Sequence, residues 1–349
     1  MHFSDLSQYD YELPSELIRT VPLEPRDSAR LFVYDTKTDE VTFDIFRNLA
    51  AHLPAEALLV LNETRVRPAR LWLRKPTGGK IEVFILVNEW SGIGLIPALV
   101  DRHVNLGDRL VFPDGAGLIV ERQEGAKFFF RLESAHSLDA LLDTFGETPI
   151  PHYLKSETGP DEADLRMRYQ AVFAAAGQSV AAPTASLHFT DEMLRLLHER
   201  NVETARLTLD VGLGTFSPLC EEHFSLGRLH AERVSLPEAT AEQVRRAKNA
   251  GRQIVSVGTT TTRALESLSR DGRLRSHVGT TDIFIVPPYH FQTVDALITN
   301  FHLPKSSLML LVDAFLRHKG AKKSVIDLYG IAVAERFAFY SFGDSLFIR

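Results

Sequence analysis

The chain has 349 residues, 44% hydrophobic and 24% charged, the composition of a globular protein with apolar material for more than one core. Its formal charge of −6 argues against a protein that coats nucleic acid along its whole surface, while leaving room for one local basic face. The single cysteine, Cys220, excludes an intrachain disulfide and a cysteine-rich zinc site; no apolar run reaches membrane-spanning length, and the acidic opening MHFSDLSQYDYELP does not read as a signal peptide, so a cytoplasmic protein is expected.

In chain order, LPSELI (13–18) reads as a short helical piece, and LFVYDT (31–36) with EVTFDIF (40–46) as a strand pair. ALLVLN (57–62) is continuously apolar and suits a strand buried on both faces. From about 68 to 134, KIEVFILV, GIGLIPALV, DRLVFP, GLIVE and KFFFRLE follow at roughly ten-residue spacing with turn residues between them. That texture predicts a small barrel or sandwich inserted in the rest. Beyond LDALLDTFG (138–146) strands and helices alternate: a helix over TDEMLRLLHERN capped by Thr190, a strand ARLTLDVG, and a helix over 237–251 between Pro237 and Gly251. Next come strand RQIVSVG, helix TTTTRALESLSR, strands DIFIVP and VDALITN, and helix LPKSSLMLLVDAFLRH (303–318); CEEHFSLG offers no convincing helix. The pattern predicts an α/β layer architecture.

Four features lack an obvious structural purpose. Between Arg65 and Lys80 lie Arg67, Arg70, Arg74 and Lys75 with no acid, and the Gly78–Gly79 turn beside Lys80 suits an anion as well as it suits a solvated strand surface. VGTTTTRALES (257–267) is either a plain N-cap or an anion-attracting helix start. TLDVGLGTF (208–216) mimics the glycine loop of methyltransferases, but Pro218 and the missing helix argue against it. Finally His188, His223, His230 and His302 sit in distinctive segments without metal-binding spacing, which favours acid–base or nucleoside contacts. Nothing in the sequence orients Cys220 and His223 as a nucleophilic pair.

The segment SVAAPTASLHFT (179–190) is too bare for an ordinary strand or helix, and with ITNFHLPKSSL it carries a resemblance. Together with YDYELP, LVLNETRVRPARL, TGGKIEV, VGLGTF, VGTTTTRALES, TDIFIVPPY and YSFGDSLFI, these segments resemble the S-adenosylmethionine:tRNA ribosyltransferase-isomerases of queuosine biosynthesis over nearly the whole chain. The resemblance implies a three-layer α/β main domain (1–67 and 135–349) with a small β-barrel domain inserted at 68–134. It also implies transfer of the ribosyl group of S-adenosylmethionine to 7-aminomethyl-7-deazaguanine at the tRNA wobble position, with loss of adenine and methionine and without metal or redox cofactor. A cytoplasmic monomer is expected.

On this resemblance, acid–base candidates are His188 first and Glu232 second, with His230 and His302. The bare backbone of Ala181, Ala182 and Ala185 would lie close to the donor ribose. Substrate contacts are expected from Asn62, Thr64, Arg65, Arg67, Gly78, Gly79 and Lys80, and from Pro183, Thr184 and Phe189. Further along they are expected from Gly212, Gly214, Thr215, Phe216, Thr259, Thr260, Arg263, Asp282, Asn300, Phe301, Gly343 and Asp344. Glu63, Gln178, Ser186, Asp210, Leu229, Ala231, Pro288 and Ala338 depart from the family pattern. Glu63 and Asp210 add negative charge where a phosphate-rich acceptor is expected. The alternative is a diverged relative that keeps the donor site but uses another acceptor, or that only binds RNA.

Overall fold

The computed structural model describes residues 1–150, 160–212, 214, 218–269 and 272–349. A hairpin of β1 (Arg30–Asp35) and β2 (Glu40–Ile45) leads through the single turn α1 (Leu49–His52) to β3 (Leu58–Asn62) and β4 (Thr64–Val66). Six strands follow: β5 (Arg70–Arg74), β6 (Lys80–Ile85), β7 (Ile96–Val100), β8 (Arg109–Val111), β9 (Gly117–Glu124) and β10 (Lys127–Glu133). Next come α2 (Leu138–Phe145), α3 (Glu162–Arg168), β11 (Ala176–Ser179), α4 (Asp191–Glu199), β12 (Glu203–Leu209), α5 (Glu221–Leu226) and β13 (Arg228–Leu236). The remainder runs α6 (Glu238–Asn249), β14 (Ile254–Val257), α7 (Thr259–Leu268), β15 (His277–Ile283), β16 (Ala296–Asn300), α8 (Ser307–His318), α9 (Val325–Ala334) and β17 (Ser345–Ile348).

The result is a mixed α/β molecule built on a nine-stranded sheet in the order β15-β13-β12-β3-β14-β16-β17-β1-β2. Its centre is parallel, β3 running with β12 and β14, and β14 with β16. The apolar run of β3 accounts for its central place. Leu58 and Val60 join one core with Val244 of α6, Leu265 of α7 and Leu310 of α8. Leu59 and Leu61 join another with Leu49 of α1 and Met193 and Leu197 of α4. Alternate side chains thus reach opposite faces, and both faces are covered.

Strands β5 to β10 form a second sheet whose order, β10-β7-β6-β5-β8-β9, closes on itself through the pairing of β9 with β10. Leu71, Leu73, Ile81, Val83, Leu118 and Phe130 share one core with Leu138, Leu141 and Leu142 of α2. The Gly78–Gly79 pair makes the β5–β6 turn: the Gly78 N–H donates to the Lys75 carbonyl at 2.8 Å, with a φ of 86° at Gly78.

Three segments differ from the sequence expectation. CEEHFSLG forms α5, ended by Gly227 at a left-handed φ of 62°; a helix this short cannot display an apolar period. DIFIVP is strand only as far as Ile283, and the strand begins earlier than expected, at His277. The helix expected from 303 begins at Ser307, since the Ser306 hydroxyl caps it by accepting from the Met309 N–H at 3.3 Å.

The chain leaves the nine-stranded sheet after β3 and rejoins it at β12; on the way β4 pairs with β11 in a two-stranded sheet. At the entry to and exit from the closed sheet, Arg70 and Glu147 exchange backbone hydrogen bonds of 3.2 and 2.7 Å. A Cβ on Gly146 at this junction would overlap the Pro68 carbonyl oxygen and lie 2.5 Å from that of Leu142. Both obstacles are backbone, so Gly146→Ala should destabilise by about 1–3 kcal/mol, the usual range for overpacking. Urea unfolding checks this; an unchanged midpoint would show that the junction yields freely.

Candidate active site

Parallel sheets bind ligands at the carboxyl ends of their strands, and here those ends meet one cleft of about 380 Å³. β16 contributes Thr299 and Asn300, β14 runs into Gly258, and β12 into Val211. Pro183, Thr184 and Ala185 form another wall, Phe3 and Leu6 a third, and His302 through Leu308 a fourth. Helices α7 and α8 both start in this lining, at Thr259 and Ser307. First-turn N–H groups and the hydroxyls of Thr184, Thr259, Thr260 and Ser307 thus stand in a largely apolar wall, an arrangement suited to a ligand with polar ends and an apolar body. Gly258 makes the turn from strand to helix at a φ of 89°, which a side chain rarely adopts.

A buried polar frame lies behind the cleft. The Asn62 Oδ1 accepts from the N–H groups of Leu209 at 3.0 Å and Thr64 at 3.2 Å, and its Nδ2 donates to the Leu209 carbonyl at 3.0 Å and the Thr260 hydroxyl at 3.3 Å. Thr64 donates to Asp210 at 2.8 Å, and the Gln178 N–H reaches the same carboxylate oxygen at 2.8 Å. Asn62, Thr64 and Asp210 line neither this cleft nor its neighbour. Asp210, a departure from the expected pattern, is therefore a satisfied member of this frame, and Glu63 pairs with Arg206 at 3.8 Å.

The two buried histidines differ in access. His302 lines the cleft, its Nε2 3.0 Å from the Thr299 hydroxyl. His188 ends a 3-10 turn (Thr184–His188) and lies behind the cleft wall. It lines instead a crevice with Arg26 and Arg168, and it reaches the cleft only through Asn300, whose Nδ2 is 3.3 Å from His188 Nε2 and whose Oδ1 accepts from Thr184 at 3.0 Å. Burial lowers His188 from the usual imidazole range to about 4, and burial alone lowers His302 to about 3.

A second cavity of about 430 Å³ separates the closed six-stranded sheet from the nine-stranded one. Leu86, Asn88, Glu89 and Lys127 line it from one side; Gly212, Gly214, His230, Glu232 and Arg263 line it from the other. Ser307 and Leu308 belong to both cavities. Glu232 and Arg263, each 4% exposed in the side chain, form a buried ion pair, and Glu232 also accepts from the Gly212 N–H at 3.0 Å. Both glycines are there for space. A Cβ on Gly212 would stand 2.8 Å from the Asn88 amide nitrogen, and one on Gly214 would press into the His230 ring. Asn88, which follows the expected strand KIEVFILV, was not among the contacts expected from the sequence.

Other expected contacts lie elsewhere. Phe189 and Phe301 are fully buried core residues. Asp344 is buried and fixes the C-terminal turn, accepting from the N–H groups of Ala338 at 2.8 Å and Arg30 at 3.0 Å, while Gly343 packs against the backbone of Phe339. Asp282 is half-buried on β15 and lines neither cavity. Arg65 and Lys80 are exposed, the latter 4.3 Å over the Trp72 ring, whereas Arg67 is engaged by Asp139 at 2.8 Å and Asp143 at 3.4 Å. Thr215 and Phe216 fall outside the described residues. Cys220 and His223 do meet, Sγ to Nδ1 at 3.2 Å. Among the described residues no group of three or more His, Cys, Asp and Glu could hold a metal ion.

Residues 6–348 match a family model described as queuosine biosynthesis protein. Curated relatives named S-adenosylmethionine:tRNA ribosyltransferase-isomerase are similar end to end. The protein of Carboxydothermus hydrogenoformans is 40% identical, covering 98% of this chain and 99% of its own. That of Syntrophotalea carbinolica is 42% identical, with the same coverage. A crystal structure of S-adenosylmethionine tRNA ribosyltransferase from Thermotoga maritima superposes with a TM-score of 0.55 at 32% identity, covering 98% of this chain and all of the other.

The depressed histidines make a pH prediction. Their folded pKa values lie below the unfolded value of about 6.5, so the unfolded chain takes up protons first. Their stabilising contribution is complete above about pH 6.5 and is lost as pH falls through the window down to about 4 for His188 and 3 for His302. Between pH 7 and 4.5, His188→Gln should lose less stability than wild type in urea titrations; parallel losses would mean that His188 protonates freely in the fold.

Proposed function

The chain belongs to the queuosine biosynthesis family, and from that membership we propose that it transfers and isomerises the ribosyl group of S-adenosylmethionine onto 7-aminomethyl-7-deazaguanine at the wobble position of tRNA. Adenine and methionine leave, and the ribosyl carbons become the epoxycyclopentanediol of epoxyqueuosine. The steps are proton transfers, displacements and a rearrangement with no net oxidation, so the chemistry calls for no redox cofactor. The observation that carries this reading is the pair of cavities meeting at Ser307 and Leu308, because group transfer needs donor and acceptor side by side.

The first cleft suits the donor: apolar walls for adenine, and helix starts with hydroxyls for the ribose and the methionyl carboxylate. The second suits the acceptor, with the Glu232 carboxylate and His230 at hand for proton transfer. The sulfonium acidifies the neighbouring 5′ carbon, and Glu232 is the favoured base because it is a carboxylate lining the cavity that adjoins the donor cleft at Ser307 and Leu308, whereas His188 lines neither and acts through Asn300 as a positioning residue. The reading includes residues 68–134 as an inserted barrel domain with 1–67 and 135–349 as its host, supported by the separate core around Leu71 and Phe130. It also includes a cytoplasmic location, with a monomer favoured over an oligomer; among the described residues no helix is long and apolar enough to cross a membrane.

Incubation with precursor-charged tRNA and S-adenosylmethionine, followed by mass spectrometry of digested nucleosides, should yield epoxyqueuosine; unmodified precursor would refute the activity. Glu232→Gln should lower turnover by on the order of 10²–10⁴ and suppress exchange of the donor's 5′ protons with deuterated water. If exchange survives in Glu232→Gln and disappears in His188→Ala, the base is His188. Replacing exposed Arg65 and Lys80 together by alanine should flatten the salt dependence of tRNA binding by about one counterion per lost phosphate contact, and an identical slope would remove both from the tRNA path.

A further inference from the structure

Two buried polar groups on opposite walls of the second cavity have no partner. Arg263, 3% exposed, engages Glu232 through Nη1, while its Nε and Nη2 meet no acceptor. Asn88, 5% exposed and carried by the β6–β7 connection, has an Oδ1 that accepts nothing. Buried polar groups are almost always paired, and unpaired donors on Arg263 with an unpaired acceptor on Asn88, two residues that line one cavity, mark where a ligand in that cavity would supply the missing partners. Arg263 sits on α7 beside the nine-stranded sheet and Asn88 on a connection of the closed sheet, and neither belongs to the apolar core of its own unit.

Resting on the reaction proposed above, we propose that this cavity receives the acceptor base turned out of the anticodon loop, and that Arg263 and Asn88 read its edge. A 7-deazaguanine has carbon in place of N7, so the 6-oxo oxygen is the acceptor left on that side of the ring. The Nε and Nη2 of Arg263 donate to it. The 2-amino group at the other end of the edge donates to Asn88 Oδ1. An adenine would set its 6-amino donor against the Arg263 donors and offer nothing to Asn88, so the same pair rejects it. The aminomethyl arm needs a route to the donor, and the boundary at Ser307 and Leu308 supplies one.

The test uses an anticodon stem-loop RNA carrying 7-aminomethyl-7-deazaguanine and two analogues, one without the 2-amino group and one without the 6-oxo group. Wild-type kcat/KM should fall about tenfold or more for each analogue, the effect of leaving one buried polar group unpaired. Asn88→Ala should show a similar fall with the full acceptor but lose nothing further when the 2-amino group is missing, and its KM for S-adenosylmethionine should stay within about twofold. Arg263→Lys, which keeps a cation opposite Glu232, should likewise become indifferent to the 6-oxo group. The proposal is overturned if Asn88→Ala is as sensitive to loss of the 2-amino group as wild type, or if its defect appears in the KM for S-adenosylmethionine. Wild-type enzyme that makes no product even with the full acceptor would overturn the reaction itself, an outcome separable from a wrong reading of the base.

Discussion

One fully buried amide organises the region from which everything else departs. Where β3 and β12 reach their ends and the backbone ladder stops, the Asn62 side chain takes over, accepting two N–H groups and donating to the Leu209 carbonyl and the Thr260 hydroxyl. It thereby ties together the end of β3, the end of β12, the start of β4 and the first turn of α7. An apolar residue of the same size would leave the Leu209 and Thr64 groups buried without partners, which costs more than the amide's own net contribution. Thr64, Ser179 and Asp210 extend the frame, with the Ser179 hydroxyl 2.8 Å from that of Thr64 and accepting from the Val211 N–H at 2.8 Å. The cleft can be lined by apolar and hydroxyl groups because the polar cost of ending β3, β11 and β12 is met behind it.

The second compartment depends on close approach rather than on bonding. Asn88 comes down on Gly212, and His230 on Gly214. A side chain at Gly212 would push on Asn88 of the closed six-stranded unit, and one at Gly214 on His230 of β13, so either would disturb the gap beside which Glu232 and Arg263 are buried. An ion pair this deep is costly to desolvate and is no strong argument for stability. Its persistence beside two unpaired donor groups is easier to understand as positioning than as adhesion.

Much of this was legible in the sequence, and the failures have physical causes. ALLVLN announced a doubly covered strand because both of its faces are buried, and Thr190 capped α4 as its position implied: its hydroxyl accepts from the Met193 N–H at 3.1 Å. β13 stayed hidden because RLHAERVSL is buried only at its far end, so its charged half erases the alternation. At the site, Pro183, Thr184, Thr259, Asn300 and His302 lie on one cavity, and Gly212, His230, Glu232 and Arg263 on the other. Asn62, Thr64, Phe301 and Asp344 sit in distinctive motifs for a different reason: Asn62 and Thr64 hold the polar frame, Phe301 fills the core and Asp344 fixes the C-terminal turn. Motif specificity does not separate a residue that touches ligand from one that fixes the loop beside it. Asn88 was out of reach altogether, because no pattern in a run of short strands tells which connection will face the other sheet.

The hairpin β1–β2 has a bearing on how the chain folds. It joins the nine-stranded sheet only through β17, which pairs with β1 on one side and with β16 on the other. Residues 30–45 therefore wait for residues 345–348 before they have a neighbour, a loop closure spanning almost the whole sequence. On a ribosome, that hairpin would emerge early and stay unpaired along one edge while more than three hundred residues were added, the situation in which an exposed strand edge invites wrong partners. β2, the outer strand, carries Glu40 and Asp44 among its mostly exposed residues, charges of the kind that discourage pairing along its own edge, while the edge of β1 stays open until β17 arrives.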